Sequence, residues 1–84
     1  MITIKVGLFA MVKELIGESE LTIYLPEGST GKDVLTHLSQ TYPTAATVLL
    51  KSVLAKGEDY FPLNTELHHQ DSIVVIPPVS GGIE

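Results

Sequence analysis

Chemistry in this 84-residue chain has few side chains to draw on, because it has no cysteine and therefore no thiolate nucleophile, thiolate metal ligand or disulfide. The histidine pair His68-His69 is the first candidate for metal or acid–base work. Neighbours on an extended chain point to opposite sides, and no correctly spaced third ligand accompanies them, so a solvated loop is expected and no metal site. His37 falls on the polar arc of a helical pattern and is expected to be exposed. Ser29, Ser39, Ser52, Ser72 and Ser80 occupy cap, surface or loop contexts, and none completes a nucleophilic triad. Gly28-Ser29-Thr30-Gly31-Lys32-Asp33 has the outline of a phosphate loop. Pro26 stands where the first glycine is needed, however, and Asp33 replaces the magnesium-binding hydroxyl, so an ordinary helix start is expected.

The main chain at the far end is a different kind of candidate. Ile73-Val74-Val75-Ile76 reads as a buried strand, and Pro77-Pro78 cannot donate to a ladder, so regular structure stops there. Val79-Ser80-Gly81-Gly82 follows, with Ile83 and Glu84 beyond. Paired prolines favour an extended path, and two glycines fit a channel too narrow for other residues. A frayed terminus is the plain alternative. The apolar anchor Val79 between the prolines and the glycines favours a tail, 79–84, that inserts into another protein while a domain of residues 1–78 stays outside.

The elements that would position such a tail are legible in order. Ile2 to Phe9 alternates as a first strand, and Met11, Val12, Leu15 and Ile16 make a short helix over Ala10 to Ile16 that Gly17 ends. Leu21 to Leu25 alternates again and stops at Pro26. Thr30 with Asp33 three residues on predicts a capping box, and Val34, Leu35, Leu38 and Tyr42 give the main helix its apolar face before Pro43. A further turn over 45–51, a strand over 52–56, a turn at Gly57-Glu58-Asp59 and a brief strand at Tyr60-Phe61 come next, then an irregular stretch with Leu63 and Leu67 tucked in. The result is an α+β domain: a mixed sheet of four to five strands with one main helix on one face. With the first and last strands paired in parallel at its centre, this is the ubiquitin-like β-grasp. The sheet side turned away from the helix, with Phe61 and Val79, is the expected docking face.

Ten acidic residues against five lysines give a net charge of −5, which speaks against nucleic acid and anionic membranes, since both draw affinity from clustered cations. A basic groove on a protein partner is favoured instead. The longest apolar runs fall short of a membrane span, no secretion signal is expected, and a small cysteine-free domain suits the cytoplasm.

The opening Ile4-Lys5-Val6-Gly7-Leu8-Phe9-Ala10 with Val12-Lys13-Glu14-Leu15-Ile16-Gly17, and the closing Leu63 to Ile76 with Pro77-Pro78-Val79-Ser80-Gly81-Gly82, carry a resemblance. Over essentially its whole length the chain resembles the small-subunit family of molybdopterin synthase, sulfur carriers of the ubiquitin-like superfamily. The resemblance implies that the reactive group is the α-carboxylate of Gly82. An adenylating, activating enzyme uses ATP on it, sulfur transfer makes a thiocarboxylate, and the large synthase subunit spends that sulfur on the dithiolene of molybdenum cofactor. It also implies partner contacts at Gly81, Ser80, Val79, Pro78 and Pro77, a hetero-oligomer, and no cofactor held by the carrier itself. The family normally ends at the second glycine, whereas Ile83 and Glu84 follow here. Trimming of a precursor is the favoured account; a binding-only paralogue or a different use of the product stay open, as does sulfur delivery to thiamine or cysteine synthesis.

Overall fold

A computed structural model describes residues 1–78. Its elements run β1 (Ile2–Leu8), α1 (Ala10–Ile16), β2 (Glu20–Leu25), α2 (Gly31–Thr41), a 3-10 turn (Pro43–Ala45), α3 (Ala46–Leu49), β3 (Val53–Lys56), β4 (Asp59–Phe61) and β5 (Ser72–Ile76). The five strands form one sheet in the order β2-β1-β5-β3-β4. β1 and β5 lie side by side and parallel at its centre, with Val6 opposite Ile73 and Leu8 opposite Val75. The other neighbours pair antiparallel. This is the β-grasp arrangement, in which a crossing helix covers the parallel pair.

Alternation decides which face is covered. Ile2, Ile4, Val6 and Leu8 of β1, Ile73 and Val75 of β5, and Leu54 of β3 are buried on the helix side, where Val34, Leu35 and Leu38 of α2 meet them. Leu49 of α3 and Leu67 of the 62–71 loop close the ends of the same core. Among the described residues, burying sixteen apolar side chains in this core supplies the main favourable term in folding. The short elements end as their residues require: Gly17 takes a left-handed φ of 88° and donates its N–H to the Lys13 carbonyl, and Gly57 turns the β3–β4 hairpin at φ 64°.

Two features of α2 explain the stretch that imitates a phosphate loop. The capping box forms, with the Thr30 N–H donating to the Asp33 carboxylate at 2.8 Å. The N–H groups of Gly31 and Lys32 then donate to the carbonyls of Thr65 and Leu63, at 3.2 and 2.8 Å. The donors that would cradle a phosphate are thus occupied by the chain's own loop. Gly31 serves packing: a Cβ there would lie 2.8 Å from Leu54 Cδ1 and 3.2 Å from Phe61 Cε1.

Candidate functional site

The tail root is built from the centre of the sheet outward. β5 is flanked on both sides by paired strands, so the point where the chain leaves it is held by two ladders, to β1 and to β3. The ladders end at Ile76 opposite Val53, and Pro77 and Pro78 continue with no further pairing, as residues without an N–H must. Val79, Ser80, Gly81 and Gly82, together with Ile83 and Glu84, lie outside the described residues, so the expected tail and its insertion are not addressed by the fold.

Around this root the surface is apolar and concave. Phe9, Met11, Ile76, Pro77 and Pro78, with Ala10 and Glu14, line a depression of about 460 Å³. Phe9 is 54% exposed and Met11 is 42% exposed, and what sets them apart from the other exposed apolar side chains is that they adjoin the prolines in one depression. Ala10 takes a left-handed φ of 52°, which turns the chain sharply from β1 into α1 and leaves Phe9 beside the prolines. Sequence reasoning missed this collar, placing Phe9 at the end of the first strand and Met11 among the apolar residues of a short helix. The available signal was an excess: a seven-residue helix carrying four apolar side chains, of which only Val12 is buried.

Phe61 corrects one expectation. Its partner in the β3–β4 ladder is Leu54, whose own partner in β5 is the buried Val75, so all three side chains share the helix side of the sheet. Phe61 is half-buried against the core and Gly31, and does not lie on the face turned away from the helix. The reason is the two-residue turn at Gly57-Glu58, which pairs Lys56 with Asp59 and therefore sets Tyr60 opposite Ala55 on the outer face; Tyr60 is 68% exposed.

The histidines also find structural work. His69, though exposed, accepts a hydrogen bond at Nδ1 from the Thr3 N–H at 3.0 Å. Gln70 N–H donates to the Thr3 carbonyl and Lys5 N–H to that of Asp71, so residues 69–71 extend the β5 side of β1. His37 is half-buried and not simply exposed, because it sits where α2 leans on β2. Asp71 anchors the turn: its carboxylate accepts from the His68 N–H at 2.8 Å and pairs with Lys56 at 3.2 Å. Partial burial pushes its carboxyl up, but the His68 N–H, the Lys56 ammonium and the nearby His68 side chain together hold it below the ordinary carboxylate range.

A family profile described as the ThiS family matches residues 6–82, from β1 through the second glycine of the tail. The chain belongs to the ThiS family. Within the family it is 40% identical over 81 residues to the molybdopterin synthase sulfur carrier subunit of Arabidopsis thaliana, covering 96% of this chain and 84% of that protein. A protein of the same name from Dictyostelium discoideum is 38% identical, covering 93% and 94%. The fold of this ThiS-family chain is also that of small archaeal modifier protein 1 from Haloferax volcanii, with a TM-score of 0.80 at 22% identity over 95% of this chain and 99% of that one. Among the described residues no helix is long and apolar enough to cross a membrane.

Proposed function

We propose that this chain is the sulfur-carrier subunit of a molybdopterin synthase, and that its working group is the α-carboxylate of Gly82 once Ile83 and Glu84 have been removed. The observation that carries the reading is the family match running through Gly82, joined to relatives at 38 and 40% identity that bear the sulfur-carrier name. In this reading the Gly82 carboxylate attacks the α-phosphorus of ATP on an activating enzyme, and pyrophosphate leaves. The resulting acyl-adenylate is an electrophile that a carboxylate is not, and a sulfur nucleophile displaces AMP from it to leave a thiocarboxylate. The large synthase subunit then takes that sulfur for the dithiolene of molybdenum cofactor. ATP and the cofactor precursor are held by the partners, and the carrier works in the cytoplasm as part of a hetero-oligomer.

Each part of the carrier has a physical task. Gly81 and Gly82 let partner walls close on the main chain, Pro77 and Pro78 stiffen the exit, and Val79 and Ser80 set the depth of insertion. The Phe9 and Met11 collar supplies the apolar contact at the channel mouth, and Phe61 contributes only through its exposed edge. The net charge of −5 complements a basic channel and speeds encounter.

ATP–pyrophosphate exchange with an activating enzyme tests the proposal directly. A chain ending at Gly82 is expected to support exchange and the full 84-residue chain to be inert until trimmed. Exchange by neither form, with a known carrier active in the same assay, rules the reading out.

A further inference from the structure

The groove between β2 and α2 plays no part in the carrier reading. β2 is an edge strand that, among the described residues, pairs only with β1, through six consecutive positions without a bulge. The other edge, β4, is three residues long and stops at Pro62, and the exposed start of β1 is covered by residues 69–71. Long open edges normally carry charges, proline or a bulge against unwanted pairing, and Glu20–Leu25 has only Glu20, at its first position. Beside this edge, Leu21, Ile23, Leu38 and Tyr42 line an apolar depression of about 210 Å³. His37 lines that depression and also a second one, of about 460 Å³, that holds Glu27 and Asp33. The two depressions adjoin at His37, the one beside Leu21 to Tyr24 mainly apolar and the one beside Leu25 to Ser29 holding the carboxylate of Glu27. At that end the Asp33 carboxylate is held by the Thr30 cap with Lys32 beside it, which leaves Glu27 as the acid open to a ligand.

We propose that this surface takes an extended segment of a partner protein, added to the sheet as a strand on β2, with aliphatic residues over Leu21 and Tyr42 and lysine or arginine beside Glu27. Main-chain bonding to the open edge supplies affinity, alternate side chains entering the groove supply selectivity, and the charge gradient fixes the direction of the strand. The surface runs along a sheet edge, whereas the Phe9 and Pro78 collar lies at the end of the central strands β1 and β5, so such a partner and the sulfur-transfer enzymes occupy separate sites.

Titration of the isotopically labelled full chain with a capped octapeptide, two lysines followed by alternating threonine and valine, tests this by amide chemical shifts. Saturable changes are expected at residues 20–25 and 37–42, and a peptide with glutamates in place of the lysines is expected to bind about tenfold more weakly. Thr41→Arg, an exposed change on the last turn of α2, fills the apolar end without touching the core and is expected to abolish the changes while leaving the spectrum folded. No saturation by about 1 mM, equal binding of both peptides, changes confined to Phe9 and Ile76 to Pro78, or perturbation of residues 20–25 by protein concentration alone would each overturn the proposal.

Discussion

Asp71, just before β5, and Gly82, the working residue of the proposed carrier, each lead to a prediction about a single side chain or its absence. For the tail, bulk is the issue: Gly81→Val in a chain ending at Gly82 is expected to lower the rate of thiocarboxylate formation about 100-fold, since an ångström of misplacement in a closed pocket has effects of that order. The folded domain should be unchanged by circular dichroism. For Asp71 the issue is charge. Its carboxyl is held below the ordinary value of 3.8, so the ionised form is favoured by folding. That stability is present above the unfolded-state value and is lost as pH falls through the lower folded-state value. Asp71→Asn is therefore expected to be less stable than the parent by a constant margin at neutral pH, the two curves converging below about pH 4, as read by urea denaturation at several pH values. Removing the acceptor altogether, Asp71→Ala, should cost about 1 to 2 kcal/mol at pH 7.

At the scale of elements, the loop over residues 62–71 and the start of α2 form a single unit. Its carbonyls at Leu63 and Thr65 satisfy the first helical N–H groups, and it can come that close only because Gly31 has no side chain. Gly31→Ala should therefore destabilise by about 1 to 3 kcal/mol in thermal or denaturant unfolding despite alanine's better helix propensity, because the new Cβ meets Leu54 and Phe61. This unit also marks where reading the sequence succeeds and where it stops. Thr30 and Asp33 announce the cap, Gly17 the end of α1, and the alternation in β1 the buried face, because each signal is local. The loop's hydrogen bonds to α2, and the His69 bond to Thr3 across 66 positions of sequence, join residues that no periodicity links. The side taken by Phe61 depends on a hairpin register that a three-residue strand leaves open.

Across the whole molecule, the doubly paired centre of the sheet ends in Pro77-Pro78 beside an exposed apolar collar, on a chain of net charge −5. The glycine tail stands out in the sequence by its residue types alone, and it lies outside the described residues. The collar does not stand out in the sequence, since Phe9 and Met11 become a surface only when α1 turns out of β1 at Ala10. Phe9→Asp is expected to weaken the complex with the large synthase subunit by about 2 kcal/mol in titration calorimetry, whereas Leu50→Ser, an exposed apolar residue of comparable visibility next to α3, should leave it unchanged. Intact-mass spectrometry of the protein purified from its own cells under non-reducing, thiol-free conditions bears most directly on the carrier reading. The expected result is a species ending at Gly82, part of which carries sulfur in place of one terminal oxygen. A population consisting wholly of the 84-residue chain, with no terminal sulfur in cells actively making molybdenum cofactor, would contradict it.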